Sequence, residues 1–357
     1  MLMRNTSTIT VLSDDRVINE IKSISVRDSL DVLISEFSIA IYNKKNWLKD
    51  FLNADKKIEI KVTALNNITE LLLAGYADDI SETISRAGNT ATLNGGNMLL
   101  DITECAGIIN SSAMSGAKLT DIISSILQPF NIELDSSELK TNPVIKKISV
   151  DTGEEAFSII EKLCRIAAVL PVATPEGKLK LTYAASDSTR AVTDLVLGVN
   201  VEKLLINSDY SDVYSEYNIL GQIPGQGKKW TKNMLQALRF ATDETVVRYR
   251  PKIFKAENQT TAELLQERVN WEAQVRHGRS RYYTVTVSGW WQTDSNGEPV
   301  RLWRTNERVT LSIPQRNEQH ELLITEVNFS KGRTSETAIL TLRDPATYQA
   351  QPGNKIE

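Results

Sequence analysis

The chain has 357 residues, of which 41% are hydrophobic and 24% charged, and its formal net charge at pH 7 is -4. This length exceeds one ordinary core, so two to four domains are expected, and the acidic balance argues against a protein whose whole surface binds nucleic acid. No hydrophobic run reaches the roughly 18 residues that span a bilayer, and the N-terminal residues lack a signal peptide's apolar stretch. Cys105 and Cys164 both have apolar neighbours in sequence, which predicts buried free thiols and synthesis in a reducing cytosol.

Alternating apolar and polar residues predict that residues 1–110 form a first β-barrel domain. Gly95-Gly96 is interpreted as a turn, and a short helix is predicted just after it, at 101–105. The predicted strands are 9–12, 17–26, 36–42, 57–65, 70–79 and 90–95.

The period changes over residues 111–185, where we predict a small α/β domain. Thr120 is expected to cap a helix that Pro129 ends. Thr152 and Glu155 have capping-box spacing ahead of a second helical stripe that runs to Ala167. A hairpin around residues 174–177 completes this domain.

Strand patterns return after residue 186 and predict a second β-barrel domain, formed by residues 186–255 and 280–348. Pro251 would break a central strand, so its segment is predicted to be an edge or a crossover. An amphipathic helix is inserted at 256–279, with Gly278 expected to stop it, and residues 349–357 form a C-terminal tail. The predicted fold class is therefore β-rich α+β, with two similar β-barrels, an inserted α/β module and an additional helix near the second barrel.

The residues offer little chemistry, and we assign no catalytic, cofactor-binding or metal-binding residue. His277 and His320 are the only histidines, and no paired-cysteine or acidic metal-binding motif is present. The loop from Gly221 to Lys229 resembles a phosphate loop but departs from its glycine and hydroxyl positions. Two carboxylate pairs are interpreted as structural, since adjacent acids on a strand point to opposite faces and acids at a helix start complement its dipole; they are Asp78 with Asp79 and Glu154 with Glu155.

Seven residues are candidates for an interface or structural motif, namely Trp271, Glu272, Arg276, Arg279, Trp290, Trp291 and Trp303. Arg276 and Arg279 belong to a basic and aromatic cluster with Arg281, which could contact a phosphate backbone but more often would pair with acids. The Trp290-Trp291 pair is predicted to place one ring in the core and the other against a second domain or subunit, because neighbouring residues on a strand face opposite sides.

Several segments, taken in order along the chain, match the pattern of a known family. They are Gly75–Asp79, Leu93–Ala106, Gly153–Phe157, Ile160–Leu163, Arg248–Pro251, Arg268–Ser280, Gly289-Trp290, Leu302-Trp303, Leu322–Ile324 and Val327. In these segments the chain resembles the baseplate hub of contractile phage tails, specifically the Mu-like tail protein P family, which is distantly similar to T4-type hubs and to VgrG N-terminal hub domains. One departure is Asn94-Gly95-Gly96-Asn97, where the family tends to carry a Gly-Arg pair.

The resemblance implies a structural baseplate hub rather than an enzyme. It implies a homotrimer whose two β-barrels per subunit make a pseudo-sixfold ring between the sixfold tail tube and the threefold central spike. Its implied partners are the spike, the tail tube or adjoining tail proteins, and baseplate wedge proteins, with DNA only in passage and no membrane insertion. Such a protein would be made and assembled in the bacterial host cytoplasm and would lie in the virion tail baseplate.

Two other functions remain open at this level. A peptidoglycan hydrolase associated with tail penetration would have to use acids such as Glu154 or Glu155. A DNA-binding module would use Arg276, Arg279 and Arg281 and would bind duplex DNA in a salt-sensitive manner.

Overall fold

The computed structural model describes residues 7–13, 16–42, 57–86, 88–107, 116–145, 150–184, 189–221, 237–256 and 261–348. The first β region contains β1 (Thr8–Ser13), β2 (Arg16–Ile18), β3 (Ile21–Ser29), β4 (Glu36–Tyr42), β5 (Lys57–Thr63), β6 (Thr69–Ser85) and β7 (Gly88–Asn97). The middle of the chain contains α1 (Leu100–Glu104), β8 (Ala117–Lys118), α2 (Leu119–Leu127), β9 (Leu134–Asp135), β10 (Val144–Ile145), α3 (Ala156–Ala167), β11 (Leu170–Ala173) and β12 (Leu179–Thr182).

The remaining elements begin at residue 195, and the last helix lies between two groups of strands. Short 3-10 helices occupy Gln128–Phe130, Pro314–Arg316 and Pro345–Tyr348. The strands and helix are β13 (Leu195–Val196), β14 (Val201–Ser208), β15 (Glu216–Gly221), β16 (Ala237–Thr242), β17 (Pro251–Lys255), α4 (Ala262–Arg279), β18 (Arg281–Ser288), β19 (Trp291–Thr293), β20 (Pro299–Leu302), β21 (Arg308–Ile313), β22 (Glu318–Lys331) and β23 (Glu336–Arg343).

One large sheet joins the two β regions. Its strand order is β14-β18-β23-β22-β3-β4-β7-β6-β5-β1-β2, with β21 also paired to β22 and β13 paired to β21. The regions meet where β22 pairs antiparallel with β3, Glu326 lying opposite Ser29 and Lys331 opposite Ile24. We call this pairing the seam. A single apolar core packs against both sides of it, with Val26 and Phe329 both buried there.

The β-rich α+β class is confirmed. Alternation of buried and less buried residues along β4 follows the predicted pattern, with Phe37, Ile39 and Ile41 directed into the core. Among the described residues no strand pairing closes either β region into a barrel, so barrel closure stays a prediction.

The α/β module has its own core, which α2, α3 and β12 line with side chains such as Ile123, Ile160 and Leu181. Both predicted caps were wrong. Lys118 is the N-cap of α2, so Thr120 lies within the helix, and Glu155 is the N-cap of α3 without a side-chain capping bond. Pro129 lies in the 3-10 turn that follows α2, and the helix itself ends at Leu127.

A separate three-stranded sheet, which we call the small sheet, has the order β16-β15-β17 and is covered by α4. This differs from the expected layout, in which residues 186–255 all belonged to the second β-barrel. The reason is that Tyr217 and Ile219 of β15 pack against Leu265 and Val269 of α4 instead of entering the core of the large sheet. Pro251 begins β17 at the edge of this sheet, as predicted.

Two interpretations around β6 and β7 were wrong. Gly95 lies inside β7 and not in a turn, and a Cβ atom there would stand 1.9 Å from the carbonyl oxygen of Tyr76. The register of β6 shifts between Ala77 and Asp79, which lets Asp78 and Asp79 line the same cavity instead of opposite faces. Strand alternation fails here because a bulge inserts an extra residue.

The thiol prediction was right for one cysteine only. Cys164 on α3 is buried, and desolvation raises its pKa to about 12. Cys105 is exposed, because it follows the short helix α1 at the edge of the module's core and not within it.

Candidate functional site

Helix α4 positions four of the seven candidate residues, Trp271, Glu272, Arg276 and Arg279. The Oγ1 of Thr261 accepts a hydrogen bond from the Leu264 backbone N–H at 3.3 Å, which caps its first turn. Gly278 does not stop the helix as predicted. It lies buried within the last turn, and the helix ends one residue later, at Arg279. The N-terminal half of α4 therefore covers the small sheet, and its C-terminal half carries the basic residues.

Arg276 lies in a charge-balanced cluster around Tyr214. Its guanidinium contacts Glu272 Oε1 at 2.8 Å and also bonds Asp212. Three cations surround the Tyr214 ring, with Lys252 at 5.0 Å, Arg250 at 5.3 Å and Arg276 at 5.9 Å from its centroid. Both acids form ion pairs with the Arg276 guanidinium. Because Asp212 lies in the 209–215 segment and Arg276 on α4, the cluster holds this segment against the helix.

The other basic residues of the predicted cluster do not join it. Arg279 is exposed at the end of α4, and Arg281 stacks over the ring of Tyr283 at 5.2 Å from the centroid. His277 Nδ1 lies 3.0 Å from Asp243 Oδ2. Hence Arg276, Arg279 and Arg281 do not form one continuous cationic surface.

The three tryptophans of the C-terminal region are all buried, with Trp290 in the core and Trp291 against the first β region of the same chain. Trp290 precedes β19 in a bend, where strand alternation does not apply. Its Nε1–H donates to the Thr337 carbonyl at 3.0 Å, and its ring lies 5.2 Å from that of Phe329. Trp303 is buried beside it, donating its backbone N–H to the Trp290 carbonyl at 3.2 Å.

Trp291 contacts the first β region within the same chain. Its Nε1–H donates to Ser7 Oγ at 3.0 Å, and the Ser7 hydroxyl donates to Glu336 Oε1 at 2.6 Å. The buried Glu336 carboxylate also accepts the Ser7 backbone N–H at 2.8 Å and pairs with Lys331 Nζ at 2.8 Å. This network fastens the start of the described chain to the second β region.

Sequence reasoning missed a junction formed by residues 304–307. Arg304 Nη2 lies 3.2 Å from Glu70 Oε2, Thr305 Oγ1 donates to Asp28 Oδ2 at 2.7 Å, and Asn306 Nδ2 donates to the Tyr183 carbonyl at 3.1 Å. One short segment thus contacts the first β region and the α/β module together. The available signal was the polar run from Arg304 to Arg308, which separates the apolar residues of β20 from those of β21.

Glu307 is the last residue of this junction, and its carboxylate is buried. Burial raises its pKa, and the Arg301 guanidinium at 3.0 Å opposes that rise. Its other oxygen accepts a hydrogen bond from Gln292 Nε2 at 2.7 Å. Because these contacts lie inside the protein, Glu307 serves the packing of the junction.

Trp271 lines a cleft of about 480 Å³ between α4, the α/β module and the last 3-10 helix. Cys164 of α3, Pro171 of β11 and Tyr348 share its lining. Trp271 is half-buried there, so it lies at a contact between regions of this chain.

The carboxylates considered for hydrolysis have structural surroundings. Glu154 bonds the Lys162 ammonium at 2.6 Å and accepts the Asp151 backbone N–H at 3.0 Å, and these contacts hold its pKa below the usual range. A low pKa is the opposite of what a general acid needs at neutral pH. Burial, together with the neighbouring Glu104 and Asp101, raises the pKa of Asp78.

Within the described ranges, no group of three or more His, Cys, Asp or Glu side chains could hold a metal ion. No helix in that part of the chain has the length and apolarity to cross a membrane. Most of the loop that resembles a phosphate loop, from residue 222 onward, lies outside the described residues.

Three family profiles match consecutive parts of the chain. Residues 100–183 match the second domain of the family described as baseplate hub protein gp44-like. Residues 213–270 match the third domain of tail protein NMB1110-like, and residues 260–351 match the fourth domain of Mu phage baseplate assembly protein GpP. The third-domain match combines the small sheet with the first half of α4.

Full-length similarities agree with these matches. Baseplate hub protein gp44 of Escherichia phage Mu is 24% identical over 328 residues, covering 90% of this chain and 83% of that protein. The 43 kDa tail protein of prophage MuSo2 from Shewanella oneidensis has a TM-score of 0.78 and 24% identity, covering 96% and 99% of the two chains. A tail protein from Neisseria meningitidis MC58 has a TM-score of 0.78 and 16% identity, covering 97% and 99%.

The large two-part sheet, the separate α/β module and the helix-covered small sheet are the fold shared with the MuSo2 tail protein. The profile matches define the chain as a structural protein of the phage-tail class. Within that class, the chain belongs to the Mu-like baseplate hub proteins. Its role is that of a structural tail protein.

Proposed function

We propose that this chain acts as a homotrimeric hub that connects the sixfold tail tube to a threefold central spike and surrounds the DNA passage. The observation that carries this proposal is the seam, at which β22 and β3 join two antiparallel β regions over one core. A shared sheet and core fix the orientation of the two regions, so three subunits would present six β regions in a rigid ring. The Mu-like family membership supports the same arrangement.

Further features fit this role. The contacts from residues 304–307 and the Ser7 network reinforce the connection between the β regions, as a ring subunit that transmits mechanical force requires. The net charge of -4 would limit sticking of DNA during passage, because few cations in contact with phosphates release few counterions. Partners in this proposal are the spike, the tube or adjoining tail proteins, and baseplate wedge proteins, and its location is the virion baseplate.

The proposed domain layout keeps a first β domain, an α/β domain of about 111–185, and a C-terminal β domain. We group β15–β17 with α4 in a unit of their own, since their core is separate from that of the large sheet.

The test is the molar mass of the purified protein by light scattering on a sizing column, over a range of concentrations. We expect a stable species of about three times 39.9 kDa, followed by ring-shaped particles in electron microscopy and co-purification with the spike protein. A monomer at all concentrations that also fails to co-purify with the spike would contradict the proposal.

DNA binding through Arg276, Arg279 and Arg281 is disfavoured by the ion pairs of Arg276 with Glu272 and Asp212. Retention of duplex DNA at about 50 mM salt is the relevant assay, since phosphate contacts are strongest at low salt. We expect no retention.

A further inference from the structure

A groove of about 640 Å³ lies where the two β regions meet, and we call it the boundary groove. The β5–β6 turn of the first region forms one wall, and the second region supplies the rest from β14, the end of β18 and the β19–β20 hairpin. Trp291 and Trp303 line it, together with Leu65 and Val199, which are 63% and 67% exposed. Exposed apolar residues gathered in one groove mark an interaction site.

The charged residues in the groove lining are both acids, Glu202 and Glu298. Both are exposed, and within the described ranges no cation forms an ion pair with either of them. Lys203 follows on β14 but does not belong to the lining. The groove therefore suits an occupant that is apolar and carries positive charge.

The described chain begins beside this groove. The Nε1–H of Trp291 donates to Ser7 Oγ at 3.0 Å, and the Ser7 backbone N–H donates to Glu336 Oε2 at 2.8 Å. The Glu336 carbonyl accepts the Gly289 N–H at 3.0 Å, one residue after Ser288 of the groove lining. The peptide bond from Ser7 back to residue 6 therefore starts between residues that line or adjoin the groove.

The register of β1 indicates the same direction. Thr8 lies opposite Thr63 in the antiparallel β1–β5 pair. Continued by two residues, this register would bring Thr6 beside Leu65 of the groove lining. Six extended residues reach up to about 20 Å from Ser7, which is sufficient to pass Trp291 and enter the groove.

We propose that residues 1–6 occupy the boundary groove of their own subunit. These residues lie outside the described ranges, so the argument uses their sequence and their point of attachment. The attachment at Ser7 gives them a high effective concentration at the groove, which a separate molecule lacks. Proximity therefore favours this segment over a second copy or another partner.

The composition of the segment fits the groove. Its first three residues are Met1, Leu2 and Met3, and methionine side chains adapt to irregular apolar surfaces. Arg4 is the charged residue of the six, and its sign is opposite to that of the two glutamates in the lining. We expect the apolar side chains to cover Leu65 and Val199 while Arg4 faces the acids.

Such docking would hold the two β regions together at a place distant from the seam, because the groove has walls from both regions. The segment would extend the Ser7 network across the boundary in the manner of a clasp. The inference concerns a contact within one subunit, so it goes beyond the proposed trimer and does not depend on it.

Hydrogen exchange of the full chain tests the docking. The variant carries Leu2→Ser and Met3→Ser, which change no residue of the described fold. We expect exchange in the 64–68 turn and the 293–299 hairpin to accelerate roughly threefold or more, because a bound segment limits local opening, while β4 keeps its protection. Leu238→Ser with Phe240→Ser is the matched control, since these apolar residues are 53% and 61% exposed on the small sheet.

Cross-linking identifies the subunit that supplies the segment. Arg4→Lys keeps the positive charge and allows a carbodiimide to join the amine at position 4 to a contacting carboxylate as an amide, with loss of water. The protein is assembled from equal amounts of heavy-isotope and unlabelled subunits. We expect cross-links from position 4 to Glu202 or Glu298 within one subunit, and none to these acids from the control Arg16→Lys, which is exposed on β2.

Each contrary result overturns a stated part of the inference. Unchanged exchange at both loops in the Leu2 and Met3 variant would overturn the docking. Cross-links that join heavy to unlabelled subunits alone would assign the groove to a neighbouring copy and overturn docking within the subunit. No cross-link to either glutamate would overturn the placement of Arg4. The molar mass of the protein decides the trimer separately from all of these.

Discussion

The large sheet and the small sheet differ most in the size of their apolar cores. The large sheet buries an extensive apolar set on both sides of the seam, including Trp290, Phe329 and Leu340. The small sheet has four fully buried core residues, Tyr217, Ile219, Leu265 and Val269, and leaves its other face open. A core of that size cannot hold a unit together alone. The large sheet and its core, which we call the frame, are therefore stable by themselves, whereas the small sheet depends on its contacts with α4.

Helix α4 is the part that makes the small sheet possible. Leu265 and Val269 cover β15, while Val275 and Gly278 are buried toward the other end of the helix. A Cβ atom at Gly278 would stand 2.7 Å from Thr347 Oγ1, so a side chain there would displace that buried hydroxyl where the helix packs against the last 3-10 helix. One helix therefore stabilises the module and attaches it to the frame.

The largest effect is expected from Trp290→Ala. Removing a fully buried indole that makes two hydrogen bonds should lower the free energy of unfolding by about 3–5 kcal/mol. Denaturant titration should show one cooperative transition at a lower midpoint for the frame as a whole. Tyr249→Ala, which removes an exposed aromatic ring, is the control and should change stability little.

Leu265→Ala and Leu340→Ala are matched variants, one in the core of the small sheet and one in the core of the large sheet. Both delete a fully buried leucine side chain, which costs about 2–5 kcal/mol, but in different cores. Hydrogen exchange should show that Leu265→Ala deprotects β15–β17 alone, whereas Leu340→Ala reduces protection across the large sheet. Equal loss of protection in both regions for both variants would mean that the two cores unfold as one unit.

Glu336→Gln tests how the start of the chain is held to the frame. Loss of the carboxylate removes an acceptor from Ser7 and leaves Lys331 without its charge partner, at a cost of about 1–3 kcal/mol. We expect faster exchange and proteolysis at β1. Glu326→Gln, which weakens the more exposed pair with Arg27, should cost under about 1 kcal/mol.

The smallest effect concerns the pH dependence of the α/β module. The Lys162 ammonium holds the pKa of Glu154 below its ordinary value of 4.5. Because the folded-state pKa is lower than the unfolded one, this stabilisation is present above about pH 4.5 and is lost as the pH falls through the folded value. Glu154→Gln should remove that acid-limb slope, measured by thermal unfolding between about pH 3 and 6.

The control for the pH experiment is Glu161→Gln. Glu161 pairs with Arg165 on the exposed side of α3, where ion pairs contribute little. Its slope should match that of the parent protein, and an equal change in both variants would contradict the role of Glu154.

Local periodicity predicted much of the secondary structure. Strand β4 was placed at its exact bounds, and the apolar stripe of α3 was recognised, because alternation and the 3.6-residue period reflect burial of one face. The family resemblance was confirmed by the profile matches and by the similarity to the phage Mu hub protein. The interface role of Trp271, Glu272, Arg276 and Arg279 stays a prediction.

Only the tertiary structure decided the features that depend on distant partners. The seam pairs residues about 300 positions apart, and the separation of β15–β17 from the large sheet depends on how α4 packs. Burial of both Trp290 and Trp291, and the presence of Gly95 within a strand, likewise depend on neighbours from other strands. A residue's own pattern sets which element it joins, but long-range packing sets what that element contacts, and no local period encodes that choice.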